Sequence, residues 1–309
     1  MRLERETLKR GKTTMDRREF IAASSALAAT TLARPKPTSA QAVEGTRPGL
    51  RTITFNVLAC NGYPKRKTNE ERRSRVRSQM ATRFALELGL YQPDIVSFQE
   101  APPKDTVARI AEQMGMEFVF FPGGWEGNDD WPGGFPGAIM TCLPIIESEN
   151  CPLARGRSQQ DLFTRHWGRA VLQTNTEELA FYSAHLHPND ETIRAREVAE
   201  ILAVMKQDLQ SNRSFLFQGD LNHKPSDPEY KQWVEAGLID TYAAKGIGQA
   251  LTVPSVTPRS RIDYIWVRGP LAQRLRECRV LYEGAFRTNP DDPQSFALSD
   301  HIPVLAMFA

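Results

Sequence analysis

The sequence predicts an α/β fold, a four-layer α/β/β/α sandwich of two packed mixed β-sheets with outer helices. Three observations predict it. Short apolar runs of strand length recur along most of the 309 residues. Long amphipathic segments interrupt them, and polar clusters end several of the runs in the same way. Two sheets facing each other, with helices over their outer faces, bury all the apolar surface that such a pattern creates.

The elements follow in order. Arg51–Leu58 reads as a strand. Thr68-x-x-Glu71 has the form of a capping box, and Val76, Met80, Phe84 and Leu88 recur at four-residue spacing up to Leu90, the signature of an amphipathic helix. After the Gln92-Pro93 turn, Asp94–Gln99 reads as a buried strand, and Lys104–Met114 as a helix. Glu117–Phe121, Gly137–Cys142, Ala170–Thr174 and Leu179–His185 read as strands. Glu191–Leu209 is the second long helix, and Ser214–Gln218, Arg261–Val267, Arg279–Glu283 and Pro303–Phe308 complete the strands. The polar clusters sit where strands end, so loops gather them at one edge.

The first 42 residues are expected to be an export signal. Asp16-Arg17-Arg18-Glu19-Phe20-Ile21 is a twin-arginine segment, Phe20 to Ala33 is apolar and rich in Ala, and Ala40-Gln41-Ala42 is a small-x-small cleavage site. The apolar stretch is short of the ~20 residues that span a bilayer. The expectation is passage through the twin-arginine (Tat) translocase, a periplasmic or secreted location, and a mature chain from Val43. Residues 43–309 then form a single domain, expected to be a monomer.

Removing that segment changes the charge. The whole chain has 39 Lys/Arg and 37 Asp/Glu, a formal +2. Nine of the bases and four of the acids precede residue 43, leaving 30 against 33, a formal −3. A binder relying on counterion release from nucleic acid would carry a basic surface. The four cysteines, Cys60, Cys142, Cys151 and Cys278, include no Cys-x-x-Cys, against a thiolate zinc site. Cys142 and Cys151 are near enough in sequence to bridge a hairpin, and the pairing is open. Neither Gly-x-Ser-x-Gly nor a Walker loop occurs, which leaves a serine hydrolase or a nucleotide-driven enzyme without support.

The chemistry lies in the strand-end clusters: Thr54-Phe55-Asn56-Val57, Ser97-Phe98-Gln99-Glu100, Phe217-Gln218-Gly219-Asp220-Leu221-Asn222, Arg261-Ile262-Asp263-Tyr264-Ile265 and Leu298-Ser299-Asp300-His301. Acids, amides and a histidine are the inventory for holding a hard divalent cation and activating water on a phosphate. Asp220 and Asn222 are two apart, so on an extended segment they share a side. His185 and His187 share a face of a strand end in the same way.

The ordered set Asn56, Gln99-Glu100, His185, Gly219-Asp220-Leu221-Asn222, Ile262-Asp263-Tyr264 and Ser299-Asp300-His301 resembles the endonuclease/exonuclease/phosphatase superfamily, the deoxyribonuclease I-like proteins, in an exported bacterial form. The resemblance runs from about Arg51 to the C-terminus. It implies the sandwich fold and a Mg²⁺ cofactor, with Mn²⁺ as the other candidate. By that resemblance Glu100 is the main metal ligand, with Asn56 and Asp300 beside it. Asp220 positions or deprotonates the attacking water, and Asn222 donates to a phosphoryl oxygen. His185 binds phosphate or assists the leaving group, and His301 contacts the scissile phosphate with Asp263 fixing its tautomer. Whether Asp220 or His301 takes the proton stays open.

The implied activity is hydrolysis of a phosphodiester by in-line water attack. Lipid, nucleotide and nucleic acid all remain candidate substrates; a secreted DNase, and a non-catalytic phosphate or lipid binder, are the alternatives. Residues 121–137 form a glycine-rich loop carrying Trp125, Trp131 and Phe135. Three uses fit it: stacking a base, dipping into a membrane lipid surface, or packing on the sheet. His187 is left between substrate binding and plain exposure, while His166 and His223 read as local structure. Arg194 reads as facing solvent.

Overall fold

A computed structural model describes residues 49–64, 68, 75–128, 133–153, 162–211, 213–289, 291–292 and 294–309. The expected signal, the box residue Glu71 and Trp131 lie outside the described residues. Pro48–Ala309 form one compact unit.

The strands, in chain order, are β1 Leu50–Asn56, β2 Ile95–Gln99, β3 Glu117–Phe121, β4 Gly137–Thr141, β5 Ile145–Asn150, β6 Trp167–Gln173, β7 Glu178–His185, β8 Ser214–Asp220, β9 Ile239–Asp240, β10 Gly246–Ile247, β11 Asp263–Arg268, β12 Leu275–Val280 and β13 Val304–Phe308. The main helices are α1 Arg77–Gly89, α2 Lys104–Met114, α3 Glu191–Gln210 and α4 Pro228–Glu235. One sheet runs β10-β12-β13-β1-β2-β4-β3 and the other β5-β6-β7-β8-β11-β9.

Each sheet is built around a central parallel pair, and a short parallel pairing of β10 with β12 lies at one edge of the first. β1 pairs parallel with β2, and β7 with β8, while their other neighbours are antiparallel. A parallel pair needs a long crossover, and the two long helices α1 and α3 supply one in each sheet. Alternation along the strands divides the core. Phe181, Leu216 and Ile265 join the cluster containing Ile53, Phe55 and Phe98, whereas Tyr182, Phe217, Tyr264 and Trp266 join Val198, Ile201, Met205 and Trp233 of α3 and α4. Met80, Phe84, Leu88, Val107 and Ile110 of α1 and α2 pack in the first cluster. The four-layer architecture is therefore as the sequence predicts.

Several boundaries differ, each for a local reason. The first strand stops at Asn56 because Leu58, Ala59 and Cys60 adopt positive φ (48°, 49° and 58°). The strand expected from Arg261 begins at Asp263, since Arg261 pairs with Asp240 and the Ile262 carbonyl accepts Leu221 N–H. The strand expected at Arg279–Glu283 lies earlier, at Leu275–Val280. The exposed strand β5 and the short helix α4 have no counterpart in the sequence reading.

A polar seam crosses between the sheets. Gln218 of β8 donates from Nε2 to the Ile53 carbonyl and to Ser97 Oγ, both at 2.8 Å, and accepts from Thr52 Oγ1 at 2.8 Å. Ser97 Oγ also accepts from Gln99 Nε2 and donates to Thr54 Oγ1, each at 3.2 Å. All of these side chains are fully buried. Next to Gln218, Gly219 has φ +155°, and a Cβ there would sit 1.9 Å from the Ala184 carbonyl oxygen, so this close approach requires glycine. Replacing Gln218 with Leu takes a hydrogen-bond partner from three buried groups in the opposite sheet. The expected loss is about 2–4 kcal/mol, read as a lower midpoint in urea unfolding followed by far-UV circular dichroism.

Candidate active site

The C-terminal ends of the two central parallel pairs converge. β1 ends at Asn56 opposite Gln99 of β2, and β7 ends at His185 opposite Asp220 of β8. Asp263 opens β11 directly opposite Asp220. His301 lies three residues ahead of β13, the antiparallel neighbour of β1.

Asp220 Oδ2 is the focus. Asn56 Nδ2 donates to it at 3.0 Å, His185 Nε2 lies at 3.4 Å, and His301 Nε2 at 3.7 Å. Behind His301, Nδ1 lies 3.0 Å from Asp263 Oδ2. Asp220 and Asp263 are each only 1% exposed. Burial pushes the Asp220 carboxyl up, with the neighbouring Asp263 adding to the rise while His301 opposes it. Burial also disfavours a charged His301, but the carboxylates of Asp263 and Asp220 outweigh it and hold that imidazole well above its ordinary value. His185 goes the other way, held well below it by burial and by the positive charge of Arg165.

The loops hold this arrangement closely. Ser299 Oγ donates to the Asn56 carbonyl at 2.6 Å, and the Ser255 N–H and hydroxyl donate to the Asp300 and Ser299 carbonyls. Backbone strain concentrates here. Leu58, Ala59, Cys60, Glu100 and Asn222 are non-glycine residues with φ near +50°, a conformation that costs free energy and persists only where its surroundings enforce it.

The sequence-predicted residues Asn56, His185, Asp220, Asp263 and His301 come together. Asn222 differs in orientation: past the end of β8 the chain turns through φ +51°, so Asn222 Nδ2 donates to the Leu186 carbonyl at 2.9 Å instead of lying beside Asp220 on one extended strand. His187 lies beyond β7 in a turn, half-buried, its Nδ1 accepting Asp190 N–H at 3.0 Å. Arg194 is buried, pairing with Glu229 at 2.7 Å and donating to the His187 carbonyl, contrary to the solvent-facing expectation. His166 and His223 are buried, on Ser183 and Trp233 respectively. Trp125 stacks on Phe135 with centroids 5.3 Å apart.

Sequence reasoning missed Arg165. Its NH1 lies 3.5 Å from Glu100 Oε1, and its guanidinium carbon stacks 3.9 Å over the Phe135 ring. It also missed Glu197, whose carboxylate accepts the N–H groups of Phe163 and His187 at 2.9 and 2.8 Å. Burial pushes Glu197 up to about 7, against those two hydrogen bonds. Neither residue has a sequence signal: one is an arginine ahead of a strand, the other an acid on a helix.

The donor set fits a hard divalent cation. Glu100, Asp300 and the Asn56 amide offer oxygens alone, the preference of Mg²⁺ and Mn²⁺. Burial pushes the Glu100 carboxyl up; Arg165 opposes the rise and the Asp300 carboxylate adds to it. Two acids that repel each other in a buried setting are a place where a cation is stabilising. Ligand-type atoms of Asp220, Asp263 and His301 also lie within 4.8 Å of one another. There, however, His301 Nδ1 and Asp263 are engaged with each other, which favours the Glu100 side for the metal.

Comparison with known proteins gives a consistent picture. The profile described as the Endonuclease/Exonuclease/phosphatase family matches residues 53–301. Among solved structures, a Bacteroides thetaiotaomicron mannosyl-6-phosphatase superposes with a TM-score of 0.66 at 18% identity, covering 84% of this chain and 100% of its own. The human Nocturnin catalytic domain, bound to sulfate, gives 0.61 at 20% identity, covering 85% and 95%. A D. rerio TDP2 complex with single-stranded DNA product gives 0.59 at 19%, covering 85% and 100%. No curated protein sequence matches the chain. With the family profile spanning most of the chain and ending on the imidazole that faces Asp220, the protein belongs to the endonuclease/exonuclease/phosphatase family.

Proposed function

We propose that the protein is a divalent-metal-dependent phosphodiesterase that hydrolyses its substrate by in-line attack of water, without a covalent enzyme intermediate. The observation that carries this reading is the convergence of Asn56, His185 and His301 on one oxygen of the buried Asp220 carboxylate, with Asp263 behind His301. Glu100, with Asn56 and Asp300 beside it, would hold a Mg²⁺ or Mn²⁺, which would supply Lewis-acid polarisation of the phosphate.

The chain's own groups do the rest. Asp220 orients the water and accepts its proton, a task suited to a carboxyl whose proton affinity burial has raised. His301, kept protonated by Asp263, donates from Nε2 to a phosphoryl oxygen as negative charge builds. His185 stays neutral and contributes a hydrogen bond, not a proton. The amide of Asn222, anchored through Leu186, adds a further polar contact at the rim. The acidic balance of residues 43–309 favours a small or lipid diester over long nucleic acid. We also propose export by the twin-arginine route, checked by recovering a periplasmic chain that begins near Val43.

Purified protein assayed on bis-p-nitrophenyl phosphate, plasmid DNA, sphingomyelin and p-nitrophenyl phosphate tests the reading. Turnover of a diester is expected with Mg²⁺ or Mn²⁺ and is abolished by EDTA. Turnover of the monoester alone would replace the diesterase reading with a monoesterase one. Asp220→Asn is expected to lower kcat about 10²–10⁴-fold with the fold intact by circular dichroism. Asp263→Asn, which leaves His301 without its anionic partner, is expected to lower kcat about 10²-fold. A wild-type rate in either variant would overturn the role assigned to the residue replaced.

A further inference from the structure

Arg165 is a largely buried charge that the scheme above does not use. Aromatic packing fixes it from one side. Phe135 lies under its guanidinium at 3.9 Å, Trp125 stacks on Phe135 at an interplanar angle of 27°, and Phe135 stands edge-on to His185 at 6.4 Å. The backbone is strapped as well: Phe135 and Arg165 form a parallel bridge, and Gly124 and Trp125 N–H donate to the Phe163 and Thr164 carbonyls. Gly134, with φ +64°, permits the fold of this loop, because a Cβ there would lie 1.9 Å from the Trp125 carbonyl oxygen. Trp125 and Phe135 are thus a built wall against the guanidinium.

The guanidinium so held faces acids. NH1 is 3.5 Å from Glu100 Oε1, too long for a good hydrogen bond, and this buried nitrogen makes no other hydrogen bond among the described residues. Asp220 and Glu197 add to the negative field around it. An arginine stays charged at any working pH. A divalent cation at Glu100 would draw on the same carboxylate from a few ångströms away.

We propose that Arg165 is a positioning residue that shares the Glu100 carboxylate with the bound divalent cation and so sets how tightly that cation is held. The inference rests on the metal-dependent reading above. The fixed positive charge of Arg165, 3.5 Å from the Glu100 carboxylate, weakens the cation's hold. Removing the charge is therefore expected to tighten metal binding, whereas losing a merely structural arginine would loosen it.

The test is Mn²⁺ binding to the full chain, read from the electron paramagnetic resonance of free Mn²⁺, beside thermal unfolding. Arg165→Gln is expected to bind Mn²⁺ about tenfold more tightly than wild type, and Arg165→Lys, which keeps the charge, within about threefold of it. Phe135→Leu, which frees the guanidinium to leave Glu100, is expected to tighten binding by a smaller factor. Unchanged or weaker binding by a folded Arg165→Gln would overturn the proposal and leave the metal-dependent hydrolase standing. If that variant does not fold, Phe135→Leu decides: tighter binding supports the proposal, and unchanged or weaker binding overturns it. A wild-type chain that binds no Mn²⁺ defeats both readings together.

Discussion

The arrangement of this molecule depends on how one sheet is registered against the other, and the buried seam around Gln218 sets that register. A purely apolar interface between sheets tolerates sliding, because hydrophobic contact has little direction. Gln218 reaches from β8 to a backbone carbonyl and two hydroxyl-bearing side chains of β1 and β2, and each bond has a preferred distance and angle. Further along the same strands stand Asn56 and Asp220, hydrogen-bonded to each other at 3.0 Å across the sheets. A slip that broke the seam would also separate Asn56, Glu100 and His301 on one side from His185, Asp220 and Asp263 on the other. Structural polarity and site assembly are one continuous feature of the molecule.

The topology explains why the residues meet at that edge. Each sheet carries a parallel pair joined by a helical crossover, so β1, β2, β7 and β8 all end on the same side. Loops leaving parallel strands project their first residues into a shared crevice. The chain then gives up stability to hold them there. Asp220, Asp263 and His185 are almost fully buried, and residues on either side of the crevice adopt left-handed backbone. Such costs are tolerated because the surrounding strands over-determine the conformation.

Much of this is legible in the sequence, because the signals that place it are local. The α/β/β/α layering follows from strand-length apolar runs and the spacing of Met80, Phe84 and Leu88, and Asn56, Glu100, Asp220, Asp263 and His301 each sit in a polar cluster beside such a run, with His185 closing another. What is not legible depends on partners far away in the chain. Arg165 becomes informative through Phe135, 30 positions earlier, and through Glu100; nothing around Thr164-Arg165-His166 distinguishes it. Arg194 looks exposed until Glu229 arrives from α4. Asn222 departs from its expected direction because alternation holds only while the strand continues, and the chain leaves β8 at Asp220 with a positive φ two residues later. Strand β5 escapes a sequence reading because its exposed Glu147-Ser148-Glu149 carries no apolar alternation.

The two imidazoles at the centre show how one carboxylate can be served by groups in opposite charge states. His185 and His301 both direct Nε2 at Asp220 Oδ2, at 3.4 and 3.7 Å. Were both protonated, two like charges would face each other in a buried space, and each would depress the other's affinity for a proton. The structure separates them by burial and by the charges near each ring. Asp263 stands behind His301 and stabilises its cation; the positive charge of Arg165 lies near His185, whose Nδ1 makes no hydrogen bond among the described residues. Neighbours that push two titratable groups apart are how one site comes to hold both a charged donor and a neutral one at a single pH. Burial, with the nearby charge of Arg165, leaves His185 neutral, while Asp263 behind His301 adds to Asp220 in keeping that ring charged.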